Sequence, residues 1–179
     1  AERASGRLRI AGGLARFEQI LLEHENGRAK ASMEFRLDDP QVLRIEANTE
    51  SWPVRFQAQP VSLLADGQAK LRLNVVKKTA RGDVQLAGNV LLQDKSLARI
   101  RTSMLVDERT LNVRDLYAET LGGTIEGEAR VPLSELTTST ARFKWEGVEP
   151  KQLQQWVPQF ERFEGTMSGS FAIDRVDTK

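Results

Sequence analysis

The chain has no cysteine in 179 residues. Disulfides, thiol nucleophiles and thiolate metal sites are thereby excluded together. Both the periplasm and the cytosol are compatible with that lack. Aromatic residues make up only 6%, so any apolar surface is mainly aliphatic. Neither sign of charge prevails, with 26 Lys and Arg against 25 Asp and Glu. A nucleic-acid partner would call for a basic stripe, and none is present. No apolar run is long enough to span a bilayer as a helix, and no signal peptide is visible. The abrupt opening, Ala1-Glu2-Arg3, gives the expectation of a piece excised from a longer, repetitive protein, with residues 1–179 forming one domain.

Catalytic residue types are equally sparse. His24 is the single histidine, and nothing specifies the partners that acid–base work requires. It reads as a surface residue at a strand end. Asp38-Asp39 and Asp107-Glu108 lack calcium-loop spacing and read as turns. Lys77-Lys78 reads as a charged strand end. Gly12-Gly13 and Gly122-Gly123 lack the Gly-Lys-Ser/Thr ending of a phosphate loop. The expectation is a non-enzymatic protein with no catalytic residue, cofactor or metal.

What the chain does have is alternation. In residues 28–37, Ala29, Ala31, Met33, Phe35 and Leu37 point one way, and Arg28, Lys30, Ser32, Glu34 and Arg36 the other. Side chains alternate across a strand, so this is a strand with one apolar and one charged face. The same pattern recurs nearly to the end. It predicts strands over Arg7–Ile10, Ala15–His24, Arg28–Leu37 and Val42–Glu50, then a short edge strand Val54–Gln57 bracketed by Pro53 and Pro60. Gln68–Val76 follows, with Asp66-Gly67 as its opening turn. Further strands centre on Val84–Leu92, Ala98–Val106, Leu111–Tyr117, Thr124–Val131, Ala141–Glu146 and Gly165–Ile173. Glu25-Asn26-Gly27, with positive φ expected at Asn-Gly, Asp38-Asp39-Pro40 and Gly122-Gly123 supply turn signals. Connections this short favour one antiparallel meander that curls on itself over a sandwich, whose connections must cross between sheets.

One segment leaves the pattern. From Pro150 to Phe160 the apolar residues Leu153, Trp156, Val157 and Phe160 recur at helical spacing, and Pro158 sets the end. A short amphipathic helix near 150–158 is expected to lie on the sheet, anchored by Trp156. There is also a weak repeat. Gly123-Thr124-Ile125-Glu126-Gly127 recurs as Gly165-Thr166-Met167-Ser168-Gly169, and Gly82-Asp83 begins a strand similarly. The spacing is about forty residues, one hairpin per repeat.

Within residues 110–175, three elements stand in a particular order. Leu116-Tyr117-Ala118-Glu119-Thr120-Leu121-Gly122-Gly123-Thr124-Ile125-Glu126-Gly127 resembles the strand pair of AsmA-like bacterial envelope proteins, the group that includes TamB. Ala141-Arg142-Phe143-Lys144-Trp145-Glu146-Gly147-Val148-Glu149-Pro150-Lys151-Gln152-Leu153 looks like that family's next strand entering a short helix. Phe163-Glu164-Gly165-Thr166-Met167-Ser168-Gly169-Ser170-Phe171 resembles its recurrent glycine-flanked strand. The resemblance implies an all-β fold, a long curved antiparallel meander shaped like a taco around an apolar groove. It further implies a periplasmic, envelope-spanning protein anchored in the inner membrane of a Gram-negative-type bacterium. Its partners would be phospholipid acyl chains, further repeats of the same protein and an outer-membrane protein.

The groove lining would be Met33, Phe35, Leu71, Leu73, Leu86, Ile100, Met104, Ile125, Phe143, Trp145 and Met167. None is charged, and each equally suits a sandwich core. Burying about a dozen acyl methylenes is worth roughly 10 kcal/mol gross, and a bilayer offers nearly the same. Transfer into such a groove is then close to neutral, as a conduit requires. The alternative is a structural β module that pairs its edge strands with an outer-membrane protein during assembly.

Overall fold

A computed structural model describes residues 3–55, 60–134 and 138–174 of the chain. Eleven strands form a single antiparallel sheet, each paired with its neighbours in sequence and in the same order. They are β1 (Arg3–Ala11), β2 (Leu14–His24), β3 (Gly27–Arg36), β4 (Asp39–Arg55), β5 (Val61–Asn74), β6 (Thr79–Leu92), β7 (Lys95–Glu108), β8 (Thr110–Thr120), β9 (Gly123–Pro132), β10 (Thr140–Val148) and β11 (Met167–Ile173). The sheet does not close into a barrel: β1 and β11 each have a neighbour on one side only. The expected all-β meander is therefore the observed fold.

Several boundaries differ from the sequence reading, each for a physical reason. The segments 42–50 and 54–57 are not two strands: β4 runs unbroken from Asp39 to Arg55, and Gln57 lies outside the described residues. A bulge between Thr49 and Trp52 absorbs the irregularity, with Ser51 at φ 49°. Pairing with β3 ends at Arg28–Glu50, so Trp52–Arg55 overhangs with β5 as its one partner. A proline is tolerated in such a local edge. Asp66-Gly67 is not a turn but lies inside β5. The Asp66 carboxylate accepts the Ser51 N–H at 2.7 Å and so satisfies a donor the bulge leaves unpaired.

The turn before β3 also differs. Its positive φ falls on Glu25, at 53°. Gly27 already belongs to β3, where a Cβ would sit 2.6 Å from Pro53 Cδ. Glycine there permits the β2–β3 hairpin to press on the β4 overhang. Gly82 likewise does not open a strand but sits within β6 at φ 149°, close against the Lys70 carbonyl of β5.

The expected helix near 150–158 is two 3-10 helices, Pro150–Gln155 and Pro158–Arg162. Each begins with proline, and neither has a side-chain N-cap. Pro158 forbids a continuous α-helix, since the residue before a proline is driven out of helical geometry. Val157 accordingly has φ −133° and ψ 95°. The three-residue repeat sets Leu153 and Trp156 one turn apart, and the Trp156 N–H donates to the Leu153 carbonyl at 3.0 Å.

Candidate apolar face

Residues directly opposite in an antiparallel ladder share a face. The register therefore extends the alternation of each strand into rows that cross the sheet. One row runs Met33, Ile45, Leu71, Gly82, Val106, Leu111, Val131. The next runs Ala31, Ala47, Ala69, Val84, Met104, Val113, Ala129, Ala141, Ile173. A third runs Ala29, Thr49, Gly67, Leu86, Thr102, Leu116, Gly127, Phe143, Phe171. A fourth runs Trp52, Ala65, Gly88, Ile100, Ala118, Ile125, Trp145, Gly169. No charged residue interrupts them. Phe35, Leu43 and Leu73 form a shorter fifth row.

Ten of the eleven candidate lining residues lie in these rows. Met167 lies opposite Val148, beyond the bulge that follows Trp145. It alternates in step with Gly169 and Phe171 and so shares their face. The ten are half-buried, whereas Met167 is 53% exposed at the sheet edge. The few buried residues of the sheet, such as Ala65 and Ala118, lie on this face too. Substantial contacts between elements join only sequence neighbours, so no second layer covers it among the described residues.

Two aromatics of β10 explain the repeated glycines. A Cβ on Gly127 would lie 2.5 Å from the Phe143 ring, and one on Gly169 the same distance from the Trp145 indole. Each glycine in a flanking strand leaves room for an aromatic on β10 to lie over it. The similarity of the two glycine motifs therefore has a common packing reason.

The 3-10 segment closes one end of the strands. Its entry is pinned by the Glu149 N–H donating to the Leu121 carbonyl at 2.8 Å, at the β8–β9 turn. Its far end reaches the β6–β7 turn. There the Trp156 indole N–H donates to the Leu92 carbonyl at 2.8 Å, and Lys95 Nζ donates to the Gln155 carbonyl at 3.4 Å. Trp156 is thus the expected anchor, held by its indole N–H. At the opposite end Leu37, Val75, Val76 and Leu133 are exposed.

The other face is charged, and a hollow of about 1450 Å³ opens on it. Its walls take consecutive triplets such as Gln85-Leu86-Ala87 and Arg142-Phe143-Lys144. Only the outer members of each triplet point into the hollow. The twist of an open sheet makes it saddle-shaped and can hollow either face along a diagonal. The lining is balanced: Lys30, Arg101, Arg114, Arg142 and Lys144 against Glu50, Asp66, Asp115, Glu126 and Glu128. Arg101 stacks over Tyr117 at 4.4 Å. Acyl chains laid there would take charged side chains out of water, which is costly even for charges that are paired.

Ion pairs cross this charged face. Glu34 accepts from Arg16 at 2.8 Å and from Arg44 at 3.2 Å, linking β2, β3 and β4. The Arg16 hydrogen bond holds the Glu34 carboxyl below its ordinary range. Arg36 does the same to Asp38 in the β3–β4 turn. His24 is partly exposed, with its ring 6.0 Å from that of Trp52. Among the described residues no three His, Cys, Asp or Glu side chains gather as a metal site would need.

Compared with known proteins, the chain matches no family model, no curated protein and no solved structure.

Proposed function

We propose that the apolar face is a non-enzymatic binding surface for phospholipid acyl chains, the working part of an AsmA-like envelope conduit. One observation carries this reading: the longest uncharged rows cross nine adjacent strands or more, and among the described residues no second layer lies over them. A sheet face of that extent has to be covered by something apolar. Lipid chains fit the lining, which offers aliphatic contact without polar anchors. Each methylene removed from water contributes roughly 0.8 kcal/mol, close to what a bilayer gives, so cargo is held without being trapped. The motifs of residues 110–175 support the same reading, and with it goes a periplasmic location between the two membranes as part of the proposal.

The test is uptake of a photo-crosslinkable phosphatidylcholine, read by native mass spectrometry. The unmodified protein should carry lipid. Leu73→Lys and Ile100→Lys, shown folded by circular dichroism, should lose it. Gln68→Lys and Gln85→Lys on the charged face should keep it. A protein that takes up no lipid, or a label that falls on the charged face, overturns the proposal. A second reading, edge pairing with an outer-membrane protein, draws on the open sheet, whose edges among the described residues are β1 and β11.

A further inference from the structure

The β5–β6 hairpin departs from the charge balance of the rest of the molecule. Lys and Arg match Asp and Glu over the chain, 26 against 25, yet residues 67–82 hold Lys70, Arg72, Lys77, Lys78 and Arg81 and no carboxylate. The register sharpens the imbalance. Arg72 lies directly opposite Arg44 of β4 on one side and Arg81 of β6 on the other. Like charges facing each other across a ladder are destabilising. Arg44 is compensated by Glu34 at 3.2 Å, and Arg81 by Glu108 at 2.6 Å and Asp107 at 3.4 Å. Arg72, Lys77 and Lys78 make no ion pair among the described residues.

The crest of this turn is apolar. Val75 and Val76 are 50% and 66% exposed, where turns ordinarily carry polar residues. Hydrogen bonds fix how they are presented. The Val75 N–H donates to the Gln41 carbonyl at 2.9 Å, and the Asn74 side chain accepts the Lys77 N–H at 2.8 Å. Lys78 completes the turn at φ 52°. β5 and β6 are central strands, each paired on both sides. The exposure therefore comes from the hairpin itself and not from an edge of the sheet.

We propose that the β5–β6 turn docks on a bilayer surface that carries anionic phospholipid. Val75 and Val76 enter the interface, and Lys77 and Lys78 beside them meet the lipid phosphates. Arg72 stands roughly 10 Å behind the crest at the rise of a strand, and its long side chain reaches toward the headgroups. There it gains the counter-charge that its ladder partners do not supply. Nucleic acid would use the cations and leave the valines in water. A second copy of the turn would cover the valines and bring lysines together. An anionic bilayer surface takes up both features at once. This site is separate from the acyl-chain face and does not rest on that reading.

The test is flotation with vesicles of phosphatidylcholine alone and of phosphatidylcholine mixed with phosphatidylglycerol, joined to hydrogen exchange. The protein should prefer the mixed vesicles, and that binding should weaken as salt is raised. Amides of residues 75–79 should exchange more slowly on the vesicle. Lys77→Gln with Lys78→Gln should weaken binding about fivefold per charge removed. Val75→Ser with Val76→Ser should weaken it about tenfold. Both double variants alter exposed turn residues, so they should keep the circular dichroism of the sheet and the uptake of single phosphatidylcholine molecules. Ile100→Lys, expected to lose that uptake, should still bind the mixed vesicles. Equal binding to both vesicle types, no binding to either, or a loss with Ile100→Lys but not with the turn variants would each overturn the proposal. So would a dimer protected at residues 75–79, or binding that follows the lysines and ignores the valines, as an acidic protein or nucleic acid would require.

Discussion

Glu34 shows how a single residue serves this sheet. Its carboxylate joins three strands through two guanidiniums, at 2.8 Å and 3.2 Å. Because its folded carboxyl is held below the ordinary range, its contribution is present above the unfolded value and lost as pH falls through the folded one. Urea midpoints measured along an acid titration should show Glu34→Gln with a shallower acid loss. At neutral pH that variant should cost only about 0.5–1 kcal/mol, as partly exposed pairs do. Glycines give a sharper contrast. Gly82 is at φ 149° with the Lys70 carbonyl against the place a Cβ would occupy. Gly165, at φ 95°, has nothing within 4 Å of that place. Gly82→Ala should destabilise by about 2–4 kcal/mol. Gly165→Ala should cost about 1–2 kcal/mol, from backbone conformation alone.

Among the elements, the 3-10 segment is the piece whose behaviour its contacts make separable. It is tied to the sheet by three hydrogen bonds spread from the β8–β9 turn to the β6–β7 turn. One of them is made by the Trp156 indole. Trp156→Phe keeps most of the ring and deletes that donor, for a loss of about 1 kcal/mol. Trp156→Ala removes the anchor. Amides of residues 150–163 should then exchange faster while those of β5 to β7 stay as they were. Uniformly faster exchange across the sheet would show that the segment supports the whole fold and is not a local cover.

At the scale of the molecule, the dominant fact is that strands contact their sequence neighbours and little else. Such a chain behaves as a nearly one-dimensional stack, with stability passed from neighbour to neighbour. Native-state hydrogen exchange should therefore be graded, fastest in β1 and β11 and slowest near β5 and β6. Urea unfolding should be broader than an all-or-none transition predicts. Lipid bound across the apolar face would add contacts between distant strands, so it should sharpen the transition as well as raise its midpoint.

Much of this was legible in the amino-acid order because the strand period is local. Two-residue alternation needs only adjacent side chains, so the existence of most strands, the apolar set and the meander could be read directly. Trp145 and Phe143 belong on one face by counting alone. Features that depend on a neighbour were not legible. Asp66 carries turn chemistry in sequence, yet it satisfies a bulge that arises in β4. Gly27 and Gly82 look like turn residues, yet they are required by backbone that approaches from another strand. Pro53 signals an edge, and the edge exists only because β3 is shorter than β4.

The division has a physical basis. By itself the sequence determined which side chains share a strand face, since the pleat leaves no choice. Tertiary structure alone decided the register that aligns eleven such faces into uncharged rows, the twist that opens a hollow on the charged side, and the reach of Trp156 to Leu92. Each of these is set by hydrogen bonds and contacts between residues far apart in the chain. No local period encodes them.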